Sequence, residues 1–156
     1  MAEDLRPFGD PGSDAFRVNA YPFYLLNRAV SRYNIVIEAE LRTIGIDIPT
    51  WRVLMILGEH PLRPTPIAEV AKTAVINIST MTRILERMTK AGLVDSVPSG
   101  TDGRVTCLRL TALGEEKLIA ARGVTAPFYR KLIRRFSARD FAKLLELLNR
   151  LHDNLD

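Results

Sequence analysis

Along this chain the apolar positions recur at two different periods, and the change of period marks its parts. In residues 21–44, Phe23, Leu26, Val30, Tyr33, Ile37, Leu41 and Ile44 follow three- and four-residue steps, the spacing of one helix face. Leu25, Ala29, Ile35 and Val36 add apolar surface outside that stripe, so this helix needs more than one neighbour. Pro22 fits its first turn, where a missing amide costs nothing, and Gly45 ends it. A second helix is predicted after Asp47, with Pro49 in its first turn. Trp51, Val53, Leu54, Ile56 and Leu57 give it a broad apolar face, and residues 58–64 break it. Thr65-Pro66 reads as another start, a hydroxyl cap followed by proline at the first helical position, and opens a short helix burying Ile67, Val70 and Ala71.

After a tight turn through Val75 and Ile76, Asn77 caps a further helix. Met81, Ile84, Leu85, Met88 and Ala91 form its inward stripe, and Gly92 closes it in the left-handed region. Ser79, Thr80, Thr82, Arg83, Glu86, Arg87 and Lys90 take the free face. There the period changes. Residues 93–97 and 105–110 are β-branched and aliphatic, and residues 98–103 between them are turn chemistry, which predicts a two-stranded ribbon. Thr111 opens the next helix, with Glu115 and Glu116 early in it, where the helix dipole favours negative charge. Gly123 and Pro127 interrupt this pattern. An interior proline costs about 3 kcal/mol, so a kink or short break is expected there. Ser137 and Asp140 make a capping box ahead of Phe141, Leu144, Leu145, Leu148, Leu151 and Leu155, a clean leucine stripe.

Two short helices joined by a few residues, the second polar-faced, are a helix-turn-helix candidate, and the ribbon is its wing. The expected fold class is therefore mainly α with a small β-ribbon, a winged helix-turn-helix with dimerisation helices at both ends. Residues 1–18, acidic and broken by Pro7 and Pro11, read as a flexible arm. Residues 19–46 hold the first dimerisation helix, 47–111 the DNA-binding lobe and 112–156 the C-terminal dimerisation helices. The end helices are more apolar than one small winged domain can cover. They pack either as a satellite core on that domain or, the reading preferred here, as a two-fold dimer.

Composition narrows the partners. At 156 residues the chain has room for one domain with a real core. Its net charge of +4 permits an anionic partner without demanding one. The single cysteine, Cys107, excludes an intrachain disulfide and suggests a reducing compartment. No stretch approaches the roughly 20 apolar residues of a membrane span, so a cytoplasmic protein with no membrane partner is expected. His60 and His152 are the only histidines and lie far apart in sequence. No metal-ligand spacing, nucleophile elbow or phosphate-cradling loop appears, so no enzyme, cofactor or metal is expected.

A helix face of hydroxyls and guanidiniums fits the major groove, where such groups read base edges. Arg104, at the ribbon tip, fits the neighbouring minor groove. The same residues equally suit a solvated helix and a charged surface hairpin, and from this window alone the two readings stand level.

The segments TMTRILERM, AGLV and TDGRVTCLRLTALG, in this order of elements, resemble the MarR family of bacterial transcription regulators from about Tyr21 onward. The most specific match is Asp102-Gly103-Arg104, followed at fixed distance by Leu110, Thr111 and Gly114; Thr82-Arg83 and Trp51-Arg52-Val53-Leu54 also match. The resemblance implies a homodimer bound to a pseudo-palindromic double-stranded DNA operator, commonly as a repressor. Many such proteins let go when a small, often aromatic or phenolic, effector binds between the dimer helices and the DNA-binding lobe. The residues expected at DNA are Ser79, Thr80, Thr82, Arg83, Arg87, Asp102 and Arg104.

One departure matters. The family often carries a basic residue two places after the valine of AGLV, where this chain has Ser96. A dimeric interaction module that kept the fold and lost operator binding is therefore the alternative function. Redox-sensing members carry a cysteine in the first helix, which here has none, so Cys107 is expected to be structural. For an effector, Tyr24, Arg28 and Arg32 on the first helix with Trp51 and Arg52 on the second offer guanidiniums against aromatic walls. Solvated arginines and a core tryptophan are the alternative, and the effector's identity does not follow.

Overall fold

Four of the helices start where a side chain takes up their unpaired amides. Asp47 accepts from the Thr50 amide at 2.9 Å and Asn77 from the Thr80 amide at 2.8 Å. Thr111 accepts from the Gly114 amide at 3.0 Å. Ser137 accepts from Asp140 at 3.1 Å while the Asp140 carboxylate accepts from the Ser137 amide, so both halves of the capping box are made. The computed structural model in which these caps are seen describes residues 3–100 and 102–155.

In chain order the elements are α1 (Arg6–Gly9), a single 3-10 turn (Val18–Ala20), α2 (Pro22–Arg42), α3 (Ile48–Glu59), β1 (Thr65–Pro66) and α4 (Ile67–Ala74). They continue with α5 (Ile78–Lys90), β2 (Val94–Pro98), β3 (Thr106–Leu110), α6 (Ala112–Ile133) and α7 (Ala138–Asp153). The strands form one antiparallel sheet in the order β1-β3-β2, with Val94 opposite Leu110 and Pro98 opposite Thr106.

The core is the meeting place of almost every element. Ile37 and Leu41 of α2 lie against Val53, Leu54 and Leu57 of α3, Val70 of α4, Met81 and Met88 of α5, Val94 and Leu108 of the sheet, and Leu118 and Ala121 of α6. Each of the larger of these side chains, taken fully out of water, stabilises the fold by about 1.5–3 kcal/mol. The α5 helix, the sheet and the long flanking helices α2 and α6 therefore share one packed interior.

Five expectations are corrected. Thr65-Pro66 does not cap a helix; it forms β1, pairing Thr65 with Leu108 and Pro66 with Cys107, so the ribbon has a third strand. Proline is tolerated because β1 is an edge strand, where an amide has no ladder partner to lose. Gly58 lies inside α3 rather than breaking it, and a Cβ there would run into the Leu118 side chain, so the glycine serves the close approach of α3 and α6. Ala91 is exposed and caps α5 instead of completing its buried stripe. The arm carries the one-turn helix α1 and the 3-10 turn. Finally, α6 runs unbroken through Pro127. Proline removes one backbone hydrogen bond there, but Leu118, Ala121, Val124 and Phe128 hold the helix to the core on both sides, and packing outweighs local propensity.

The last helix stands apart from this interior. No residue of α7 is buried, and Leu144, Leu145, Leu147 and Leu148 are exposed along it.

Candidate nucleic-acid interface

The connection between α4 and α5 sets the angle of the helix that follows. Val75 ends α4 in the left-handed conformation, φ 56° and ψ 47°, a region that a β-branched residue rarely enters. Asn77 then starts α5, and burial of Met81, Ile84, Leu85 and Met88 fixes which face looks outward.

On that outward face Arg83 is exposed and, among the described residues, has no hydrogen-bond or ion-pair partner. Lys90, two turns further on and on the same side, is exposed as well. Its spacing of seven residues from Arg83 was the signal that it belongs with it. Thr80 is exposed in the first turn. Two hydroxyl protons are already used locally: Ser79 donates to Asn77 Oδ1 at 2.8 Å, and Thr82 to the Ile78 carbonyl at 3.0 Å. Both hydroxyl oxygens keep lone pairs free to accept a further hydrogen bond. Thr82 also borders a recess of about 480 Å³ with Glu86, Thr89, Lys90 and Ser96, between α5 and the sheet.

Arg87 is differently placed. Its guanidinium donates to the Asp47 carboxylate at 2.7 Å, so it is turned towards the start of α3. Burial alone would raise the Asp47 carboxyl, but hydrogen bonds from Thr50 and the charge and hydrogen bond of Arg87 together hold it below the usual carboxylate range.

At the wing tip the Asp102 carboxylate accepts from the Arg104 amide at 3.0 Å, and the Asp102 carbonyl accepts from the Val105 amide. Asp102 thus shapes the turn, as short acidic side chains do by bonding to amides two residues on. The Arg104 guanidinium is exposed and has no partner among the described residues. Ser96 is exposed on β2, opposite Leu108.

The residues expected around an effector do not all line one cavity. Arg32 lines a cavity of about 1100 Å³ between α2 and α6, with Tyr33, Val36, Phe128 and Lys131. Tyr24, Arg28, Trp51 and Arg52 lie outside its lining. The Arg28 guanidinium sits 5.7 Å from the centre of the Tyr24 ring, a cation–π contact. Arg52 donates to the Ala74 carbonyl at 3.4 Å, and the Trp51 indole nitrogen is buried with no partner among the described residues. Tyr33, which the effector expectation omitted, packs on Phe128 at 6.1 Å between ring centres; burial raises its phenol, against the opposing charge of Arg52. Cys107 is buried in β3.

A helix-turn-helix joined to a wing, with an exposed guanidinium at the outward face of the second helix and another at the wing tip, is the arrangement of winged-helix DNA-binding proteins. The model of the MarR family matches residues 44–105. The HTH-type transcriptional repressor IacR of Pseudomonas putida is 37% identical over 147 residues, which span 94% of this chain and 87% of that protein. In fold, the chain is similar to the Staphylococcus aureus MepR–DNA complex, with TM-score 0.79 and 16% identity over 86% of this chain and 96% of that one. The Streptomyces coelicolor PcaV regulator in complex with its natural ligand gives TM-score 0.73 and 22% identity, over 91% of this chain and 99% of that one. The chain belongs to the MarR family and is a DNA-binding transcription regulator, not an enzyme.

Proposed function

We propose that this protein is a homodimeric repressor that binds a pseudo-palindromic operator and is released by a small effector. The observation that carries the reading is the outward face of α5, with Arg83 exposed above a fully packed stripe, on a chain whose relative is a repressor. In this reading the two α5 helices enter successive major grooves, with Ser79, Thr80, Thr82 and Arg83 towards the bases, and Arg104 enters the flanking minor groove. Asp102 shapes the turn that presents Arg104. The exposed leucines of α7 and the exposed apolar residues Phe23, Val30 and Ile35 of α2 support a dimer, because they otherwise leave a large apolar surface in water. The α2–α6 cavity supports the effector site: its walls are largely apolar and aromatic, with Arg32 at hand for a carboxylate. The PcaV structure, which holds a natural ligand, is consistent with a small-molecule effector.

A gel shift on the region upstream of the protein's own gene, at two salt concentrations, tests the DNA half of this reading. A retained, salt-dependent shift against scrambled competitor is expected. Loss of all preference would favour the second reading, an interaction module without operator binding, which Ser96 in place of a basic wing residue supports. For the effector half, aromatic acids and their coenzyme A thioesters are screened by thermal shift, since a ligand selective for the native state raises its apparent stability.

A further inference from the structure

Two carboxylates meet at the start of α3, that of its N-cap Asp47 and that of Glu38 on α2, and each does two things at once. Asp47 accepts from the Thr50 amide and from the Arg87 guanidinium, at 2.9 and 2.7 Å. Glu38 accepts from the Ile48 amide at 3.3 Å and from the Arg42 guanidinium at 3.2 Å. One arginine comes from the last turn of α2 and the other from α5, so the cluster ties both helices to the first amides of α3. It borders a cleft of about 370 Å³ that Gly45, Met88 and Leu93 also line.

We propose that Asp47 is a positioning residue for DNA binding, holding α5 through Arg87 at the angle that specific contact requires. The inference rests on the DNA-binding reading and deepens it. Side chains of the two partners are 59% and 34% exposed, and a pair so wetted adds little to fold stability. Its value is directional. The Asp47 carboxylate is fixed by the α3 amide it caps, α3 is fixed in the core by Val53 and Leu54, and α2 meets the same core through Ile37 and Leu41. Arg87 is therefore tethered to the rigid part of the molecule from a helix whose outer face is free. A guanidinium already neutralised in this way contributes little counter-charge to a phosphate. It acts through the orientation of Arg83, one helical turn earlier on α5.

Asp47→Asn separates the pairing from the cap, because asparagine caps a helix as well as aspartate does but carries no charge. The measurement is fluorescence anisotropy on two duplexes, the upstream region and a scrambled sequence, for wild type, Asp47→Asn, Arg87→Gln and the double variant across a salt series. If Asp47 positions α5, each single variant loses about five-fold in preference for the upstream duplex, the low end of coupling between separate sites. The double variant then loses no more than either, and the salt slope stays that of wild type. Two results overturn the proposal: unchanged preference in Asp47→Asn, or an Arg87→Gln variant that weakens on both duplexes with a slope lower by about one, the mark of a phosphate contact. A wild type that binds both duplexes alike instead overturns the DNA-binding reading, and the role of Asp47 with it.

Discussion

Gly114 approaches Leu93 so closely that a Cβ on it would lie 2.0 Å from the Leu93 carbonyl oxygen. That carbonyl also accepts from the Thr111 amide at 3.2 Å, and the Thr111 hydroxyl donates to the Gly92 carbonyl. The Leu-Thr-x-x-Gly run is thus a joint: β3 ends at Leu110, Thr111 caps α6, and the missing side chain at 114 lets α6 seat against the end of α5 and the start of β2. Gly114→Ala cannot be accommodated by turning a side chain, since the obstacle is backbone. It should destabilise the protein by about 2–3 kcal/mol, read from the urea midpoint. A loss within ~0.5 kcal/mol, the range of an ordinary surface change, would mean that α6 shifts freely.

Val75 predicts a change of the opposite sign. It is 86% exposed, so little burial is lost on replacing it, yet it sits in the left-handed region. Such a conformation costs an L residue roughly 1–2 kcal/mol, and asparagine enters it more readily than valine. Val75→Asn should therefore raise stability by about 1 kcal/mol in thermal or urea unfolding. If the variant is less stable than wild type, the valine makes a favourable contact in solution that outweighs the strain.

The helices were legible because their signals are local. Asp47, Asn77, Thr111 and Ser137 each cap the helix that the apolar period announced, and Gly92 ends α5 at φ 72°. Thr65-Pro66 misled because a cap-plus-proline pair and a two-residue edge strand share a sequence, and only β3, some 40 residues on, decides between them. At Pro127 the local penalty was real, but anchoring on both sides of it decided the outcome. The pairing of Arg87 with Asp47 spans 40 residues of sequence and has no periodic signature. The cavity draws Tyr33 and Phe128 together from helices far apart in the chain, which no spacing rule announces.

For the dimer, Leu148 is the sharper probe. It is 38% exposed, so a charge there does not disturb the interior of one chain. Ile37, at 1% exposure, is a core residue, and Ile37→Glu would unfold the protein rather than divide it. Light scattering on wild type should give twice the 17.5 kDa chain mass, and Leu148→Glu should give the single-chain mass with helical circular dichroism retained. A wild type of single-chain mass at micromolar concentration removes the dimer, and with it two recognition helices spaced by about one DNA turn.

Arg83 and Arg104 separate reading from anchoring. Both guanidiniums are exposed and unpaired among the described residues, but one stands on the outward face of α5 and the other at the tip between β2 and β3. A good pair of contacts to base edges discriminates sequence by roughly 1–3 kcal/mol, whereas neutralising a phosphate is blind to sequence and sensitive to salt. Arg83→Ala should therefore narrow the preference for operator over scrambled DNA. Arg104→Ala should weaken binding to both and flatten the salt slope by about one unit per lost contact. Because narrow minor grooves attract arginine, the Arg104→Ala variant should also lose its sensitivity to A·T-rich flanks. Anisotropy titrations of both variants over a salt series, with flanks varied, check all three outcomes. If Arg104→Ala leaves affinity and slope as in wild type, the wing does not touch DNA. The protein would then bind through α5 alone, and Ser96, where the family resemblance leads one to expect a basic residue, would mark a wing without that contact.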